Sequence, residues 1–83
     1  MDDTTAHTII RDVLGSIAPE ADFDAIDPTA QLQDEVDLDS MNFLDFVTGL
    51  HDRTGVDIPE RDYPLVATIA GCADYLCHHA AAR

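Results

Sequence analysis

Residues 39 to 53 read DSMNFLDFVTGLHDR, from Asp39 to Arg53. Phe43, Phe46, Val47 and Leu50 recur at spacings of three, one and three. That is one face of a helix turning about every 3.6 residues. Asn42, Asp45, Gly49 and Asp52 recur at three, four and three and make the opposite face, expected to be wet. The spacing predicts a helix from Ser40 to about Arg53. Gly49 inside it lowers helix propensity by about 1 kcal/mol relative to Ala. Gly55 follows, where a left-handed C-cap favours glycine. At the other end the pattern leaves a question open. Asp39 or Ser40 can be the N-cap and nothing more. Alternatively, a serine hydroxyl exposed there is a handle, because the dipole and free N–H groups favour an attached anion such as a phosphate.

Working outward, Ile9, Ile10, Val13, Leu14 and Ile17 fall at helical spacing. They predict a first helix from a cap at Thr4 or Thr5 to Ile17, with Pro19 forbidding continuation. Ala18 to Asp39 is a long connection with an Asp27-Pro28-Thr29 turn. Phe23, Ile26, Leu32, Val36 and Leu38 are expected to pin it to the core without forming strands. Connections of this length in compact domains are often functional. Beyond Gly55, Val56-Asp57-Ile58-Pro59 is extended. Glu60 to about Leu65 forms one helical turn limited by Pro64. Thr68 caps a last helix from Ile69 to about His79, with Ile69, Ala73 and Leu76 as its apolar stripe. The expected architecture is all-α, a small four-helix bundle of three main helices and one short one.

The chain has 83 residues, read as one domain, 1–83. A fold this small buries only roughly 60% of its chain surface, leaving little room for a catalytic apparatus. Apolar residues make up 46%, enough for a core. Asp and Glu number 17 against 4 Lys and Arg, with a formal net charge of −13. Such a surface repels nucleic acid and anionic membranes and favours basic partners. Cys72 and Cys77 point to different sides of a helix, so no mutual disulfide is expected, and a reducing cytoplasm suits them. No signal peptide or membrane-spanning stretch is read in the chain.

The stretch Asp39-Ser40-Met41 resembles the Asp-Ser-Leu signature of acyl carrier proteins. The tripeptide is weak by itself, but the likeness covers nearly the whole chain in order and spacing. It includes the first helix, the loop with Asp27-Pro28-Thr29 and Leu32, the Asp-Ser helix ending near Gly55, Val56-Asp57-Ile58-Pro59, and Thr68-Ile69 opening a helix through Tyr75-Leu76. The resemblance implies no catalysis by the chain. It implies that Ser40 receives a 4′-phosphopantetheine arm from coenzyme A through a separate Mg²⁺-dependent phosphopantetheinyl transferase. The arm's thiol would hold a carboxylic acid as a thioester. By the same resemblance Asp39 helps recognition and orders the turn. Met41 stands for the usual Leu where partners dock. Asp45 and Asp52 face Arg and Lys of partner enzymes, giving fast, salt-sensitive contacts suited to a monomeric shuttle. Leu44, Val47, Ile58, Leu65 and Ile69 either line an apolar slot for cargo or are simply core.

Several positions depart from the family pattern. The Gly usual before the signature is absent, and Asp37-Leu38 occupies that stretch. His51 and Arg53 stand where housekeeping fatty-acid carriers tend to be acidic. Thr54 replaces a large apolar residue, and Phe43 and Phe46 add bulk. These imply a specialised carrier with dedicated partners and a differently shaped cargo slot. The absence of the Gly-Gly type of approach favours acyl over aminoacyl cargo.

Other chemistries fit less well. A calcium loop opened at Asp37 would need Gly and Glu where Asn42 and Thr48 stand. Leu38 to Asn42 is no Gly-x-Ser-x-Gly elbow, and His7, His51, His78 and His79 read as surface residues. Cys72, Cys77, His78 and His79 match no closed zinc spacing. The alternative that stays open is an acidic helical interaction module in which Ser40 only caps.

Overall fold

The computed structural model describes residues 1–81. Helix α1 spans Asp3–Ile17, α2 Leu32–Glu35, α3 Ser40–Thr54 and α4 Ile69–Ala81. Two 3₁₀ segments, Phe23–Ala25 and Glu60–Val66, complete the order. No strand occurs among the described residues, and the all-α bundle expected from the sequence is the observed class.

Helix α1 begins two or three residues earlier than a cap at Thr4 or Thr5 would set it. The Asp2 carboxylate accepts from the Thr5 amide at 2.8 Å and is the cap. A carboxylate satisfies an orphan amide and also carries charge that the N-terminal dipole favours, so it wins over the threonines. Ala6, Ile10, Val13 and Leu14 are buried, while Ile9 and Ile17 pack at the edge of the core. Against this helix lie α3 and α4.

The connection after α1 is held at several points. Ile26, Leu32 and Leu38 are buried, and Phe23 and Val36 pack partly against the core. Arg11 pairs with the Asp24 carboxylate and lies 5.1 Å above the Phe23 ring. Both the amide and the hydroxyl of Thr29 donate to Asp27, holding its carboxyl below the ordinary value. Further on, Leu32 N–H donates to the Ala67 carbonyl at 2.8 Å and Ala70 N–H to that of Pro28 at 2.9 Å. These two bonds join the connection to the start of α4.

Helix α3 buries Phe43, Phe46, Val47 and Leu50 as its pattern requires. Burying a side chain like Phe46 in full is worth roughly 1.5–3 kcal/mol. Gly49 does not belong to the wet face. A Cβ there would lie 2.7 Å from Val13 Cγ1, so the missing side chain is what lets α1 approach. Gly55, at φ 73°, ends the helix in the left-handed region, its amide donating to His51 O at 2.7 Å.

The segment after Pro59 runs through Pro64 to Val66, beyond the single turn expected. A 3₁₀ helix depends less on each internal bond than an α-helix, so a residue without an N–H breaks less. Val66, fully buried, anchors its end. Thr68 Oγ1 then accepts from Gly71 N–H at 3.0 Å, the expected cap of α4. Ile69, Cys72, Ala73, Tyr75 and Leu76 are buried. Tyr75 OH donates to Asp62 Oδ2 at 2.7 Å, tying α4 to the 3₁₀ segment. Cys72 and Cys77 are both free thiols, and burial pushes the Cys72 thiol up to about 12.

Candidate functional site

The chain reaches α3 through a sharp turn. Asp37 adopts φ 53°, the left-handed region that favours glycine and that Asp enters more readily than most residues. Leu38 then drops into the core, and Asp39 and Ser40 emerge exposed. Asp37 thus holds the conformation for which a glycine is suited. The sequence shows only that a glycine is missing; the backbone shows why one would fit.

Asp39 is the N-cap. Its backbone is extended, its Oδ1 accepts from Asn42 N–H at 2.8 Å, and its carbonyl accepts from Phe43 N–H at 2.9 Å. Ser40 is therefore the first helical residue, released from capping. Its hydroxyl has no hydrogen-bond partner among the described residues and faces solvent. The amides of Ser40 and Met41 are among the orphan donors of a helix start. No acidic residue stands in the first turn of α3. A phosphodiester on Ser40 would meet unpaired N–H groups and a positive dipole end, so these residues fit a phosphopantetheine group.

The other singled-out residues fall into two sets. Met41 is 71% exposed, and Asp45 and Asp52 are exposed on the same stripe of α3. Leu44 and Leu65 are also exposed. Val47 and Ile69 lie within the core. Ile58 is half-buried and lines an open cleft of about 570 Å³ with Pro59, Arg61, Tyr75 and His79. Sequence reading missed Tyr63, whose ring meets that of Phe43 edge-on at 5.7 Å between centroids. Its only signal was an aromatic residue in a short segment.

The unusual residues near the end of α3 have local partners. His51 Nδ1 donates to the Val56 carbonyl at 3.0 Å, with Asp57 Oδ1 at 3.4 Å. Arg53 bridges to Asp12 of α1 at 3.0 Å. Thr54 Oγ1 donates to Leu50 O at 2.7 Å and accepts from Val56 N–H at 3.1 Å. The Arg53 guanidinium in the last turn also suits the helix dipole. Among the described residues no cluster of His, Cys, Asp or Glu could hold a metal ion.

Comparison with known proteins gives the chain's family. The phosphopantetheine attachment site family matches residues 6–76, most of the chain, and the chain belongs to that family. It is similar to the acyl carrier protein of Streptomyces coelicolor, 27% identical over 73 residues, which is 88% of this chain and 79% of the relative. It is also similar to that of Lactobacillus johnsonii, 31% identical over 58 residues, 70% of this chain and 72% of the relative. A third acyl carrier protein, from Brachyspira hyodysenteriae, is 27% identical over 70 residues, 84% and 90% of the two chains. The protein is thus a carrier with 4′-phosphopantetheine as its prosthetic group, modified by phosphopantetheinyl transferases and not itself a catalyst. No described helix is long and apolar enough to cross a membrane.

Proposed function

We propose that Ser40 is the attachment point and that the protein carries acyl groups as thioesters between partner enzymes. The observation that carries this reading is the division of labour at the start of α3: Asp39 takes the cap and leaves the Ser40 hydroxyl exposed and unpartnered. In the transfer, Ser40 Oγ bonds to the phosphorus bearing the pantetheine half of coenzyme A. The bond from that phosphorus to the adenosine bisphosphate half breaks, and the hydroxyl proton passes to a base of the transferase. When attached, the group supplies a thiol for the thioester. Asp39 fixes the turn that presents Ser40. Met41, Asp45 and Asp52 offer one exposed apolar residue and two acids along one stripe, a surface suited to basic partners. The acyl carrier relatives favour acyl over aminoacyl cargo. His51 and Thr54, engaged in closing α3, and Arg53, bridged to α1, stand where the family pattern differs and favour a specialised carrier with its own partners. The two free thiols suit a reducing cytoplasm.

The test is the intact mass after incubation with coenzyme A, Mg²⁺ and a broad-specificity phosphopantetheinyl transferase, beside Ser40→Ala. A gain of one phosphopantetheinyl group in the parent and none in the variant is expected. No gain with several transferases would leave Ser40 as a surface residue of an acidic interaction module.

A further inference from the structure

Resting on the attachment at Ser40, we infer that Phe43 and Tyr63 close the bundle to cargo, so that this carrier takes short or polar acyl groups held outside it. Side chains on a helix lean toward its N-terminus, so residues three and four places after Ser40 cover the surface beside it. Those residues are Phe43 and Leu44, and they differ sharply. Phe43 is 7% exposed and turned inward, whereas Leu44 is 47% exposed. A chain entering the interior from Ser40 along α3 meets the Phe43 ring first. That ring is held edge-on by Tyr63 of the 60–66 segment and lies 6.0 Å from the Phe46 ring behind it. Phe46, Val47 and Ile69, which a chain would have to part next, are 0, 5 and 2% exposed. Interiors packed in this way admit added methylenes only by forcing side chains off their rotamers. Leu44 and Leu65, two residues that could belong to an interior slot, face solvent instead. The apolar surface beside Ser40 is therefore external, at Met41 and Leu44, and too small to shield a long alkyl chain from water.

The experiment loads the protein from acetyl-, hexanoyl- and dodecanoyl-coenzyme A with a permissive transferase. Intact mass confirms each product, and thioester cleavage by hydroxylamine is then timed. For an external cargo the three rates agree within about twofold, and the Phe43 and Phe46 ring resonances of the dodecanoyl form match those of the acetyl form. Dodecanoyl cleavage slowed about tenfold, with shifted ring resonances, would overturn the inference while leaving the attachment intact. No mass gain at all would remove the attachment and this inference with it. Tyr63→Ala, which frees the Phe43 ring without emptying the core centre, is expected to introduce the chain-length dependence that the parent lacks. If Tyr63→Ala leaves the rates unchanged, Tyr63 is not part of the closure.

Discussion

Helices α1 and α3 begin alike and end up with different duties. Each has 15 residues, and each is capped by an aspartate accepting from the amide three places on at 2.8 Å. They part at the first helical residue, which is Asp3 in α1 and Ser40 in α3. The first turn of α1 brings its own anion; that of α3 brings none. The dipole at α1 is answered from within the chain, while the dipole at α3 remains available to a charge added later. The approach differs as well, since α3 is reached through the left-handed Asp37 and the buried Leu38.

The comparison breaks most completely with Ser40→Asp, which gives α3 the start that α1 has. Arm transfer, read by intact mass, should vanish altogether. Stability, read by urea denaturation, should not fall and should rise by about 0.3–1 kcal/mol. A drop in stability would mean that the Ser40 hydroxyl has a structural duty of its own. Next in size is Asp37→Val, where a β-branched residue must hold φ 53°. It should cost about 1–2 kcal/mol, whereas Asp37→Gly should cost nothing. Equal stability of both variants would place the turn elsewhere. Asp39→Ala should cost about 1 kcal/mol through the lost cap. Because the cap also sets where Ser40 emerges, transfer to the variant should be slower than to Asp2→Ala. Equal transfer rates would reduce Asp39 to the same role as Asp2.

The smallest effect is in the titration of the α1 cap. Hydrogen bonds from the Thr5 side chain and amide hold the Asp2 carboxyl below its ordinary 3.8. The unfolded chain therefore binds more protons in that range. The cap's contribution is complete above 3.8 and is lost as pH falls through the lower folded value. A carboxyl titration followed by NMR should give Asp2 a midpoint under 3.8, and a midpoint at or above it would sink the assignment.

The long helices were legible because their apolar residues recur at helical period and their ends carry Pro19, Gly55 and Thr68. Ser40 was legible as a position but not as a free hydroxyl. Two adjacent residues could cap, and only backbone geometry shows that Asp39 does. The same ambiguity in Asp2-Asp3-Thr4-Thr5 hid the cap of α1. Helix α2 is four residues with one buried side chain, too short to display a period. Gly49 was misplaced because a helical wheel assigns faces by polarity, and glycine has no side chain to assign. What fills its place is Val13 of another helix. The closure between Phe43 and Tyr63 joins residues from separate segments, and apolar spacing along one helix carries no information about its partner.

The bonds from Leu32 to Ala67 and from Ala70 to Pro28 have a kinetic consequence. They join positions far apart along the chain, and closing so large a circuit spends chain entropy before the contact returns anything. The junction is expected to form on the native side of the folding barrier, after the helices have begun to assemble. Interactions absent from the transition state govern how fast a protein opens, not how fast it closes. On this view, the two backbone bonds act chiefly on the lifetime of the folded carrier between one delivery and the next.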